Sequence, residues 1–177
     1  MPEDLVDALL DNATRRFYGK YRGTVMDNND STSRGRLQVS VPAVMGGTPV
    51  WAMPCVPYAG DSVGFFALPD VGTGIWVEFE AGNPDYPIWV GCFWGDGQID
   101  ASDAVPTIKF LKTKSMKIRI DDSSGELLIE NDSGSSIKMT ALDLTLKSKT
   151  ITETTDVTKT VLDSVQFDVN SGAFTVI

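Results

Sequence analysis

Residues 116–146 read MKIRIDDSSGELLIENDSGSSIKMTALDLTL, and this stretch decides what kind of fold the chain can adopt. Apolar side chains recur in short bursts: Met116/Ile118/Ile120, Leu127/Ile129, Ile137/Met139 and Leu142/Leu144/Leu146, with Val165/Phe167/Val169 further on. A period of two puts each burst on one face of a strand. The polar runs 121–125 and 131–134 supply turns between them. From Ser135 to Ser171 there is neither glycine nor proline, while Thr, Ser, Val, Leu and Ile abound, a strand-favouring composition.

Each burst offers two or three inward side chains, and nothing else in the chain is left to cover them. At about 25 cal/mol per Å² of apolar burial, one copy would gain little against the entropy of ordering ~60 residues. Its edges would also stay open to aggregation. Three copies wound around one axis answer both problems: inward side chains fill a common core, and each strand pairs with one from another chain. The expectation for 116–177 is therefore an intertwined trimeric β-helix. Its core residues are Ile118, Ile120, Leu127, Ile129, Ile137, Met139, Leu142, Leu144, Leu146, Val165, Phe167 and Val169. A monomeric β-solenoid is the second reading and a six-stranded meander the third. Both of these call for glycine or proline punctuation that is missing from Ser135 to Ser171.

Upstream, 19–95 reads as a compact β domain. Strand-like runs are 20–26, 35–41, 51–56, 64–68, 74–80 and 88–94, separated by turn signals at 27–30, 46–47, 60–61, 69–70 and 82–85. Five or six short strands in about 75 residues suggest a small closed barrel or sandwich. Ile75, Val77 and Phe79 point one way, and Trp76, Glu78 and Glu80 the other. All four tryptophans (Trp51, Trp76, Trp89, Trp94) fall here and give the core its bulk. Before this domain, 3–17 sets Leu5, Leu9, Leu10, Ala13 and Phe17 at helical spacing, so 1–18 is expected as a short amphipathic helix that caps its own domain or docks on a neighbour. After it, 96–115 is expected as a linker. The basic run Lys109, Lys112, Lys114, Lys117 and Arg119 fits a solvated strand edge, or contact with an acidic surface.

Composition removes several functions. The 177 residues carry 15 Lys+Arg against 24 Asp+Glu, a net charge of −9, and no histidine. Ser-His-Asp and Cys-His catalysis and His-ligated metals are excluded. Up to residue 106 the charge is 6 basic minus 14 acidic, or −8. A groove that tracks nucleic-acid phosphates does not fit that balance, and no nucleic-acid partner is expected. Cys55 and Cys92 sit in apolar runs and are expected as buried free thiols, which points to a reducing compartment during synthesis. The acidic start is wrong for a signal peptide, and no apolar run approaches the ~20 residues of a membrane span.

The residues of the β domain carry a resemblance. Gly19-Lys20-Tyr21-Arg22-Gly23-Thr24-Val25, Asp27-Asn28-Asn29-Asp30, and Gly35-Arg36-Leu37-Gln38-Val39 with Val41-Pro42 come in order. They are followed by 71–80 (VGTGIWVEFE) and 82–91 (GNPDYPIWVG). Together they resemble the oligosaccharide/oligonucleotide-binding (OB) barrel of phage baseplate spike proteins. That family includes the central spikes of contractile phage tails, the VgrG spikes of type VI secretion, and the spikes of extracellular contractile injection particles. The resemblance implies an all-β protein: an OB barrel followed by a homotrimeric β-helix needle at the end of the inner tube. On sheath contraction the needle pierces the target envelope, touching the target membrane only transiently. It implies inner-tube, hub and baseplate partners at the N-terminal end. At the C-terminal end it implies a conical tip protein of the PAAR type, with Phe174, Val176 and Ile177 as platform. It also implies synthesis in the cytoplasm and assembly into a phage tail or tail-like particle. The interval between barrel and needle is too short for the lysozyme domain that some phage spikes carry, and the octad glycine pattern of some needles is absent.

No residue set supports an enzyme, and no cofactor is expected. Glu78 and Glu80 share one polar strand face and read as solvated charges rather than a glycosidase pair. Asp27, Asp30 and Asp61 lack calcium-loop spacing, and 71–74 lacks the lysine and helix of a phosphate loop. A second function is a stand-alone carbohydrate-binding OB module on a β-solenoid stalk, using aromatics such as Trp51, Tyr58, Trp89 or Trp94.

Overall fold

A computed structural model describes residues 15–176. The strands in chain order are β1 (Tyr21–Asp27), β2 (Leu37–Ser40), β3 (Val50–Pro54), β4 (Ala59–Gly60), β5 (Val63–Gly64), β6 (Gly74–Phe79) and β7 (Pro87–Cys92). They continue as β8 (Ile108–Lys112), β9 (Met116–Asp121), β10 (Glu126–Asn131), β11 (Ser136–Met139) and β12 (Leu144–Lys147). The last four are β13 (Thr150–Thr154), β14 (Lys159–Asp163), β15 (Phe167–Val169) and β16 (Phe174–Val176). The chain divides into two compact units, Met1–Gln98 and Ile99–Ile177.

In the first unit β1, β2, β3, β7 and β6 close into a barrel, in that order, with β6 returning to β1. All its pairs are antiparallel except β3 with β7. That order, with its single parallel closure, is consistent with an OB fold. Irregularities at Val25/Asp27 and at Trp76/Val77 supply the bends that closure needs. Two glycines permit close approach. A Cβ at Gly23 would stand 2.8 Å from the Ser40 carbonyl oxygen, and one at Gly74 would stand 2.6 Å from the Phe93 ring.

The core follows from alternation. Val25, Leu37, Val39, Val41, Ala52, Ile75 and Val77 are fully buried, joined by Phe79 and Trp89. On β6, Ile75, Val77 and Phe79 face in as expected, while Trp76 and Glu78 face out. The expected strand at 64–68 shrinks to the two residues of β5, whose partner is β4 alone; the barrel is already closed without it, and Pro69 follows. Cys55 and Cys92 are free thiols, but both are exposed rather than buried. Cys55 lies just past β3, and Cys92 shares the outward parity of Ile88 and Val90.

The expected N-terminal helix over 1–18 lies largely outside the described residues. Its last part is described: Arg15 is in a turn and Arg16 to Tyr18 are coil, not helix. Phe17 packs its ring against Tyr21 and Phe79, and its N–H donates to the Gly82 carbonyl at 2.8 Å.

The second unit is a pair of meanders. Strands β8 to β12 form a five-stranded antiparallel sheet in sequence order, and β13 to β16 a four-stranded one. Each strand therefore has its ladder partners in its own chain, which corrects the expectation that every strand pairs with another chain. The segment 96–115 contains β8, which pairs with β9 from Ile108↔Asp121 to Lys112↔Lys117.

Side chains, rather than glycine or proline, close most of the later turns. The Thr140 hydroxyl accepts from the Asp143 N–H at 3.0 Å, and that of Thr155 from the Thr158 N–H at 3.1 Å. The Asp163 carboxylate accepts from the N–H groups of Val165 and Gln166 at 2.8 and 2.9 Å. These caps do the work that the missing Gly/Pro punctuation would have done, which is why a meander forms here without it.

Candidate assembly surface

Register decides what each sheet presents. Residues directly opposite across an antiparallel pair share a face. In the first meander two such columns are Ile120–Leu127–Met139–Leu144 and Leu111–Ile118–Ile129–Ile137–Leu146. They stand two residues apart along each strand and so lie on the same face. Met116 extends that face beside Asn131. The opposite face carries Phe110–Arg119–Leu128–Lys138–Thr145 and Lys112–Lys117–Glu130–Ser136–Lys147.

The two faces are covered in an inverted way. On the charged face Asp103 is buried at 6% exposure, and it accepts two 2.8 Å hydrogen bonds from Lys117 Nζ. Arg119 lies within ion-pair distance of Asp103, Asp121 and Glu126, and Lys138 reaches Glu126 at 2.7 Å. These charges shield one another. The apolar face has no such cover: Ile118, Ile120, Ile137, Met139, Leu144, Leu146, Leu111 and Met116 are all exposed. Only Leu127 and Ile129, on the central strand, are half-buried.

The second meander repeats the pattern. Ile151–Leu162–Phe167–Val176 form one column and Glu153–Thr160–Val169–Phe174 the next, on one face. Leu162, Phe167, Phe174 and Val176 are exposed. Among the described residues of 99–176, not one apolar side chain is buried.

Of the expected needle-core residues, ten fall on these two apolar faces: Ile118, Ile120, Leu127, Ile129, Ile137, Met139, Leu144, Leu146, Phe167 and Val169. Leu142 and Val165 do not; they occupy turns, and Leu142 is 92% exposed. Counting every second residue carried the alternation one step past the strand ends. Leu111, Ile151 and Leu162 belong to the faces and were missed. Their bursts are short or interleaved with threonine, and only the register reveals them. Of the expected tip platform, Phe174 and Val176 lie on β16 opposite Val169 and Phe167, continuing the apolar face. Ile177 lies outside the described residues.

In the barrel, the residues weighed for chemistry serve structure. Glu78 pairs with Lys20, and Glu80 begins a 3-10 turn (Glu80–Gly82). The Asp30 carboxylate accepts from Thr32 N and Oγ1, Arg34 N, and Arg36 N, Nε and Nη2 at 2.7–3.2 Å. The Arg36 guanidinium, foremost, holds its carboxyl well below the usual carboxylate range. Arg36 in turn lies over Trp51, 5.2 Å from the ring centroid. The four aromatics considered for a sugar site do not share one exposure: Trp89 is buried and donates Nε1–H to the Gly35 carbonyl at 3.1 Å, whereas Tyr58 and Trp94 are exposed. Among the described residues no group of three or more His, Cys, Asp or Glu is placed to hold a metal ion. None of their helices is long and apolar enough to cross a membrane.

The first unit is a closed five-stranded barrel, and the second unit exposes an apolar β face. Residues 21–94 match the family described as the type VI secretion system/phage-baseplate injector OB domain. The matched segment is the barrel from β1 to just past β7. The match supports the baseplate spike OB family for this part of the chain, a structural family rather than an enzyme family, with baseplate or tail components as its setting. No curated protein matches the chain.

Proposed function

We propose that the chain is the central spike of a contractile injection machine, a homotrimer whose tail forms the puncturing needle. One observation carries this reading: 99–176 folds into two meanders with one apolar face each, and buries no apolar side chain by itself. Burial of such faces contributes about 25 cal/mol per Å², and another copy with the same pattern supplies a matching surface. Three meanders, each turning its apolar face to a common axis, close a prism with the charged faces outside. In that arrangement 116–177 is the needle, and ladders within each chain stiffen it without intertwined pairing at every strand.

The barrel sits at the inner-tube and baseplate side, with hub proteins at its N-terminal end, and the needle meets the target envelope. A PAAR-type tip protein seats on the C-terminal end, where β16 leaves one edge unpaired and Phe174 and Val176 continue the apolar face. Light scattering tests the reading. A mass near three times 19.2 kDa is expected. A mass of twice that value would indicate a two-sheet sandwich, and an ordered single chain would overturn the needle. Deleting 173–177 is expected to abolish capture of the tip protein while leaving the trimer intact.

A further inference from the structure

The outer wall of β1 and β6 carries a cation that meets no carboxylate among the described residues. Arg22 and Trp76 stand opposite each other in register. Phe93 donates its N–H to the Gly74 carbonyl at 3.1 Å, and its ring lies against Gly74, the neighbouring outward position of β6. The Arg22 guanidinium is thereby held by two rings, 4.9 Å from the centroid of Trp76 and 4.7 Å from that of Phe93, and it is exposed. Beside it lies a cavity of about 500 Å³ lined in part by Val71, Phe93 and Trp94. Val71 and Trp94 are 60% and 66% exposed. A guanidinium already fixed by rings loses little freedom on meeting an anion, and aromatic and arginine side chains together are the usual anchors of a docked segment.

We propose that residues 3–14 of the same chain, which precede the described residues, dock on this wall as an amphipathic helix with Asp7 paired to Arg22. The inference is independent of the trimeric reading. Reach singles out that segment. It is rooted just past β6, where the Phe17 N–H donates to the Gly82 carbonyl and Arg16 Nη1 to that of Ala81. From Ala81 back to Trp76 is five residues, at most about 18 Å; from Arg16 back to Asp7 is nine, about 14 Å as helix, and the side chains close the difference. Pattern argues the same way. Val6 and Leu10, four apart, make one helical stripe, and Glu3 and Asp7 make the stripe beside it. The aliphatic pair then covers Val71 and Trp94 while the acidic pair reaches Arg22. Charge selects the cation. Lys20 is paired with Glu78 and Arg36 with Asp30, and Arg34 bonds Thr32 at the opposite end of the barrel. Tethering holds the segment at high effective concentration, so an ion pair and two aliphatic side chains close the contact.

The test replaces Val71 in the full chain with the photo-crosslinker p-benzoylphenylalanine, in material assembled from a mixture of isotopically heavy and light chains. Expected are covalent links from position 71 to peptides within 3–14, joining heavy to heavy and light to light. Links that join heavy to light, or that reach only barrel or tail peptides, overturn the inference and leave the spike reading standing. In the same background Arg22→Glu is expected to lower the yield of these links about fivefold, and Asp7→Arg added to it to restore them. Arg22→Gln, which removes the charge and keeps a planar end between the rings, is expected to lower the yield in the same direction, with barrel melting followed in every variant. Arg34→Glu is expected to leave the yield unchanged. An undiminished yield in both Arg22 variants, no recovery in the double variant, or an equal loss in Arg34→Glu overturns the inference. Added salt is expected to lower the yield, because it screens the Asp7–Arg22 pair.

Discussion

The barrel and the tail are made of similar strands and solve burial in opposite ways. Five barrel strands curl until their inward faces meet, and nine apolar side chains disappear from solvent. Nine tail strands lie in two open meanders, and no apolar side chain among the described residues disappears. The difference is closure. A bulged, glycine-relieved sheet can bend back on itself, as at Gly23 and at the irregular step after Trp76. A meander of three- to six-residue strands joined by tight capped turns has no such bend, so its apolar side stays exposed. A unit that buries its own core is thus joined to one that buries no apolar side chain among its described residues.

Breaking the tail tests this most severely. Ile118 and Ile129 face each other in register, and changing both to Asp would bury charges in the shared core. The expected outcome by light scattering is a fall from about three times 19.2 kDa to 19.2 kDa. The barrel should still melt cooperatively. The converse change is Leu37→Ala in the barrel core. It should cost about 2–5 kcal/mol of barrel stability in a denaturant titration while the trimeric mass persists. Loss of both properties together would mean that the units are not independent.

Acid sharpens the comparison. The carboxyl of Asp30 titrates well below its ordinary range because of Arg36, so it adds stability at neutral pH. That stability drains away below about pH 4, where unfolded carboxylates take up protons. Asp30→Asn should lower the barrel midpoint at pH 7 and flatten its decline between pH 5 and 2. An unchanged acid profile would remove the Asp30–Arg36 contact as its cause. The smallest expected effect is Thr140→Ala, which removes a turn cap and should cost about 1 kcal/mol, read as faster amide exchange at Leu142 and Asp143.

Much of the barrel was legible in the residues. Alternation at 75–79 named its inward positions, and glycines and acidic turns marked its corners. The 64–68 strand was misplaced because hydrophobicity alone cannot tell a ladder partner from an exposed loop. The two cysteines were misplaced because apolar neighbours on a strand do not fix which face a residue takes. In the tail, ten of the twelve proposed core positions share the apolar faces, since a period of two survives any pairing scheme. Leu142 and Val165 lie off those faces, in bends where threonine and aspartate caps end the strands.

Sequence by itself determined that this chain is a β protein without histidine chemistry, built from a core-rich half and a half too lean to cover itself. Those follow from composition and alternation, which are local. Tertiary structure alone decided that the barrel closes through a parallel β3–β7 pair, that the tail pairs within its own chain, and that its apolar side is more open to solvent than its charged one. These depend on register and on ion pairs between strands distant in sequence, and such contacts are set only when the backbone is in place.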